Sequence, residues 1–235
     1  PKGTPNTPSR STERKRLYRH STVLSGMDQI KTLLLAGGQI HDFRGCGQAI
    51  EEALRADGRF EVTKIEDDLS VLELAGLSPY NLLVLYYTVG EITNPQRDGL
   101  SYFIARGGGF AGIHSAADSF RESPDYKAII GGHFVTHPRF RQYQVSVVDP
   151  THAITKDLVE FMVEDEQYIL DYDPRVNVLC SALWQGRAIP VAWTKPWGKG
   201  RVFYLALGHN PDACRQAIFK VLLTRGAYWA GTTGQ

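Results

Sequence analysis

The sequence predicts an α/β protein whose central strands lie in a buried parallel sheet. Three observations predict it: continuous apolar runs at residues 32–36 and 82–85, helical apolar stripes between such runs, and glycines where one pattern gives way to the other. A strand covered on both faces is apolar throughout, whereas a strand with one wet face alternates. With 235 residues, 43% of them hydrophobic, the chain can fill one sizeable core.

The elements follow in order. Residues 32–36 read as the first strand, closed by Gly37 and Gly38. Cys46, Ala49, Ile50, Ala53 and Leu54 form the apolar face of a helix that stops at Gly58. Residues 60–65 alternate as a second strand, and residues 81–87 make a third, central one. Thr93 or Asn94 caps the next helix, Pro95 suits its first turn, Leu100, Phe103 and Ile104 form its stripe, and Gly107 ends it. Residues 108–113 form a fourth strand that stops abruptly at His114. Farther on, residues 143–148, 178–182, 190–194 and 201–207 read as strands, the last three as an antiparallel extension. A final helix starts at Asn210-Pro211-Asp212 and runs to Gly226.

Residues 1–27 are rich in Pro, Ser, Thr and Arg, and are expected to be a disordered basic tail ahead of a single domain spanning 28–235. Net charge is +1, so no global field attracts nucleic acid or an anionic membrane, and no apolar stretch approaches the length of a bilayer span. Three cysteines, without CxxC spacing, make no disulfide framework and point to a reducing, cytoplasmic setting.

Ligands of an open parallel sheet bind beyond the carboxyl ends of its strands. His41-Asp42, Tyr87-Thr88, His114-Ser115 and Gly208-His209-Asn210 all occupy such positions. The glycine-rich segment 107–116 (GGGFAGIHSA) suits a sharp strand-to-helix turn that lifts His114 into a cleft, while Ser115 reads as the cap of the next helix. The absence of GK[ST], and of GxGxxG after the first strand, excludes a nucleotide loop. His133 and His137 are four apart, but Gly131, Gly132 and Pro138 oppose a helix. His133 is expected to line the cleft and His137 to be a turn residue. Trp193 reads as core and Trp197 as more exposed, with Tyr86 and Tyr87 suited to stacking on a sugar ring. Glu166 lies in an acidic run before residues 168–170, which is either a solvated edge or a carboxylate turned inward. Turned inward, it opens two chemistries. His41, His114 and His209 can hold a divalent metal such as zinc, with Glu166 as ligand or base, or Glu166 and one histidine can act as a metal-free acid/base pair.

Six motifs in order carry a resemblance: residues 35–44 (LAGGQIHDFR), 107–116, 130–134 (IGGHF) with His137-Pro138, 165–168 (DEQY), 190–194 (PVAWT) and 198–209 (GKGRVFYLALGH). Together they resemble the ThuA-like, or trehalose-utilisation, family over residues 30–230. The resemblance implies a flavodoxin-like three-layer sandwich with a mostly parallel sheet, similar to the class I glutamine amidotransferases. It implies a small-molecule sugar as substrate: trehalose or a related disaccharide, or a 3-keto sugar made by an associated oxidoreductase. It leaves room for a homo-oligomer. His114 stands where those amidotransferases carry cysteine, so a glutaminase is not expected. The family features fall on His41, His114, Glu166 and His209 as catalytic centre, with Asp42, Tyr87, Ser115 and His133 around it. Hydrolysis, elimination and isomerisation all suit this site, and a non-catalytic sugar-binding or regulatory module is the alternative.

Overall fold

The computed structural model describes residues 29–232, so the basic tail expected at 1–27 lies outside the described residues. The chain runs β1 (Ile30–Gly38), α1 (Phe43–Asp57), β2 (Phe60–Glu66), α2 (Leu74–Leu77), β3 (Leu82–Thr88), α3 (Asn94–Ala105), β4 (Gly109–Ile113), α4 (Pro124–Ile130) and β5 (Gly132–Thr136). It continues with β6 (Arg141–Val147), β7 (Phe161–Asp165), β8 (Ile169–Tyr172), β9 (Asn177–Trp184), β10 (Arg187–Trp197), β11 (Gly200–Leu205), α5 (Pro211–Arg215) and α6 (Ala217–Gly231).

Among the described residues, nine strands form one sheet in the order β2-β1-β3-β4-β11-β10-β9-β6-β7, and β5 pairs with β8 apart from it. From β2 to β11 every pairing is parallel. From β11 to β7 every pairing is antiparallel. The sheet is therefore evenly mixed rather than mostly parallel. The β9–β10 connection shows the physical reason. Gln185 and Gly186 both take positive φ, 47° and 77°, which makes a two-residue hairpin turn in place of a crossover helix. The antiparallel extension is real, but β11 also pairs in parallel with β4 and so joins the two halves.

The continuous apolar runs arise because successive residues of the central strands enter opposite cores. Leu34, Val84, Ala111 and Phe203 pack with the inner faces of α1 and α6. Leu33, Leu83, Phe110 and Tyr204 pack with those of α3 and α4. Burying one such leucine contributes about 1.5–3 kcal/mol.

Helix boundaries follow local chemistry. Asp42 caps α1 by accepting from the Gly45 amide at 2.9 Å, and left-handed Gly58 closes that helix. Thr93 and Gln96 form a reciprocal capping box on α3. The last helix departs from expectation. It breaks at Gln216 into α5 and α6, and α6 runs through Gly226 to Gly231. Gly226 is a packing position and not a stop, because a Cβ there would collide with the Phe203 ring. Among the described residues no helix is long and apolar enough to cross a membrane.

Candidate metal centre

Four side chains converge beyond the carboxyl ends of the strands. The potential ligand atoms of His41, His114, Glu166 and His209 all lie within 4.8 Å of one another. The ring centroids are 5.0 Å apart for His41 and His114, 5.1 Å for His41 and His209, and 5.5 Å for His114 and His209.

His114 is the most constrained. It opens a 3-10 turn (His114–Asp118) with φ of 44°, a left-handed conformation rare for a residue with a Cβ. Buried partners hold this strained turn: Tyr204 Oη donates to the His114 carbonyl at 2.9 Å, and Tyr126 Oη to the Ala116 carbonyl at 2.7 Å. His114 Nδ1 donates to the Ala206 carbonyl at 2.7 Å, which leaves Nε2 without a proton. That Nε2 is buried, makes no hydrogen bond, and lies 3.8 Å from Glu166 Oε2. The Tyr168 ring tilts over the imidazole, with centroids 4.0 Å apart.

His41 sits in the turn after β1, with Nδ1 2.9 Å from Thr88 Oγ1. Burial, and then His209, lower its pKa to about 4, and burial likewise holds His114 well below 6.5. Both imidazoles are thus neutral at pH 7. His209 runs the other way: its Nδ1 is 3.1 Å from Glu166 Oε2, and that carboxylate raises its pKa. The contact is close but not aligned as a hydrogen bond, since Nδ1 has no hydrogen-bond partner by geometry.

Glu166 points inward and is 7% exposed, so the solvated acidic edge is represented by exposed Glu164 alone. Asp165 beside it is buried and accepts three backbone N–H groups. Burial lifts Asp165 to about 6, while those bonds pull it down.

The surrounding candidates divide. Ser115 does not cap a helix; its hydroxyl is buried and unpartnered beside His114. Asp42 caps α1 at the exposed rim. Tyr87 donates to Asp67 at 3.0 Å and stacks on Phe120, and Tyr86, fully buried, donates to the Gly208 carbonyl at 3.0 Å. Neither phenol is free to stack on a ligand. His133 stands apart on β5, 3.9 Å from Asp171, and lines a cleft of about 340 Å³ with Phe134 and Arg121. Trp193 is core, and Trp197 is half-buried with its indole donating to Ser101.

One residue belongs to the site that sequence reasoning set aside. His137 follows β5 and holds Nδ1 2.9 Å from Glu166 Oε1, so Glu166 is flanked by imidazoles on both oxygens. A histidine before proline in a loop carries no periodic signal; only its place in the IGGHF-HP motif marked it.

The donor set tests whether an ion fits. Two neutral imidazoles, a third paired with a carboxylate, and an orphaned buried nitrogen aimed at that carboxylate form a nitrogen and oxygen set that suits zinc or a similar divalent ion. The backbone carbonyl behind His114 Nδ1 is the outer-shell contact such ligands carry.

No curated protein matches this chain. Among solved structures, it is similar to a ThuA-like protein from Parabacteroides merdae, at 25% identity and a TM-score of 0.80, over 88% of this chain and 92% of that one. A ThuA-like protein from Bacteroides uniformis is similar at 20% identity and a TM-score of 0.76, over 92% and 96%. A cytoplasmic protein from Salmonella typhimurium shares the fold at 13% identity and a TM-score of 0.65, over 86% and 99%. The family model for ThuA, trehalose utilisation, matches residues 18–230, and by that match the chain belongs to the ThuA family.

Proposed function

We propose that this chain is a sugar-processing enzyme of the cytoplasm that holds one divalent ion, zinc by its donor set, on His41, His114, Glu166 and His209. Family membership supports sugar utilisation in general. The observation that carries the finer reading is the buried, unpartnered Nε2 of His114 aimed at Glu166. An unsatisfied buried nitrogen costs about 1–3 kcal/mol, and an ion removes that cost.

When bound, the ion polarises a sugar oxygen or lowers the pKa of a water. His114 and His41, held neutral, offer lone pairs rather than protons. His209 faces the Glu166 carboxylate, which raises its pKa, and an ion bound at the cluster would compete with that proton. Ser115 supplies a hydroxyl beside His114 and Asp42 a carboxylate at the rim, while His133 supplies a polar group in the separate cleft beside β5. Tyr87 contributes from beneath, through its stacking on Phe120. A cleft of about 670 Å³, within the usual 300–1,000 Å³ of ligand pockets, opens between Gln39, Val89, Phe120 and Arg121. Val89 of its lining follows Thr88, the partner of His41, in the chain.

The substrate is trehalose, a related disaccharide, or a 3-keto derivative supplied by a sugar oxidoreductase. A keto group acidifies neighbouring C–H bonds, so a single base suffices for elimination or isomerisation. The parallel half of the sheet is, in this reading, the flavodoxin-like scaffold shared with class I glutamine amidotransferases, with His114 in place of their cysteine. Glutamine hydrolysis is therefore not the reaction.

Metal analysis of protein purified without chelator is expected to find one equivalent in the wild type and under a tenth in His114→Ala. Trehalose and 3-keto-trehalose are then incubated with each protein and followed by NMR. Turnover of either sugar by the zinc form, abolished in His114→Ala, supports the reading. Both sugars unchanged by zinc-loaded protein overturns it and leaves a sugar-binding module.

A further inference from the structure

We propose that Asp165 is the positioning residue of this site, a buried anionic anchor that fixes Glu166 and His209 before an ion arrives. The proposal rests on the metal-centre reading above. Glu166 follows β7 and His209 follows β11, and those strands are separated in the sheet by β10, β9 and β6, so no ladder hydrogen bonds tie them. The Asp165 carboxylate makes the connection. Oδ2 accepts from the Gly208 amide at 2.7 Å, and Oδ1 accepts from the His209 amide at 3.1 Å and the Glu166 amide at 2.8 Å. At 1% exposure these bonds are shielded from water, and a charged acceptor makes them stronger than neutral ones. Gly208, at φ of 109°, takes a conformation open to glycine that presents two consecutive amides to one carboxylate. On the neighbouring residue, Gln216 clasps the Glu164 carbonyl at 2.7 Å from the other side. The loop bearing His209 and the strand end bearing Glu166 are therefore fastened by their backbone amides to one carboxylate, and neither functional side chain is used in the fastening.

An amide cannot replace this group. Asparagine offers one acceptor oxygen, and its NH₂ would face a third N–H donor. Zinc and Co²⁺ are titrated into chelator-stripped wild type, Asp165→Asn and Val163→Ala, the last removing a core methyl pair from the same strand. Asp165→Asn is expected to weaken zinc binding about 10- to 100-fold and to alter the visible Co²⁺ spectrum. Val163→Ala is expected to lose stability while keeping affinity and spectrum. Wild-type affinity and spectrum in Asp165→Asn overturns the proposal, as does an equal loss in Val163→Ala. A wild type that binds neither ion overturns the metal reading itself. Should Asp165→Asn fail to fold, amide exchange in chelated wild type decides. Slow exchange at Glu166, Gly208 and His209 without metal supports the anchor, and fast exchange until zinc is added overturns it.

Discussion

At the scale of single residues, the decisive feature is a histidine held in left-handed backbone. His114 has φ of 44° and is fixed by the Tyr204 and Tyr126 hydroxyls. Glycine takes this conformation freely, whereas a Cβ costs about 1 kcal/mol there. His114→Gly is therefore expected to be more stable than His114→Ala by about 1 kcal/mol, the reverse of the usual ranking, with metal binding lost in both. Urea denaturation of the two variants checks it; equal midpoints, or a stabler alanine variant, would show the turn to be unstrained. The identity of His114 was legible in the glycine-rich run that precedes it, but its strain was not, because the turn is held by tertiary partners outside that run, Tyr204 among them at 90 residues' separation. Ser115 was misread as a cap for the same reason: nothing local shows that the turn is 3-10 and leaves its hydroxyl unpartnered.

At the scale of elements, glycine misled where it serves packing rather than termination. Gly226 looks like a helix stop in sequence, yet α6 passes through it because Phe203 needs the space. Alanine in an open helix gains about 1 kcal/mol over glycine, while overpacking a core costs about 1–3 kcal/mol. Gly226→Ala is expected to lower stability by about 1 kcal/mol on balance, read as a shifted urea midpoint with unchanged slope. A gain in stability would mean that Phe203 yields easily. The parallel strands and the helices α1 and α3 were legible because apolar runs, stripes and caps are local. β7, at the sheet margin, and the separate pair of β5 with β8 were not, since such short strands have neither a long run nor a distinctive turn.

At the scale of the whole molecule, the buried charges set how stability responds to acid. In the metal-free protein His41 titrates at about 4 instead of 6.5, so between those values the unfolded chain binds a proton that the folded chain refuses. His114 acts in the same direction. Their contribution is present above pH 6.5 and is lost as pH falls toward 4. Asp165, lifted from 3.8 to about 6, opposes this below pH 6. Urea midpoints of chelated protein are expected to drop from pH 7 to pH 5, with a shallower slope in His41→Gln; identical slopes would remove His41 as the cause. The parallel half of the molecule could be inferred from the rule that strand ends carry ligands, which placed His41, His114 and His209. Glu166 enters from the antiparallel half and was placed through the resemblance, because no pattern in its own segment separates an inward carboxylate from a wet one. The spacing of these four along the chain has a consequence for fragments. They stand 73, 52 and 43 residues apart, so no short excised piece carries the set, and the cluster comes together only when the two halves of the sheet have joined.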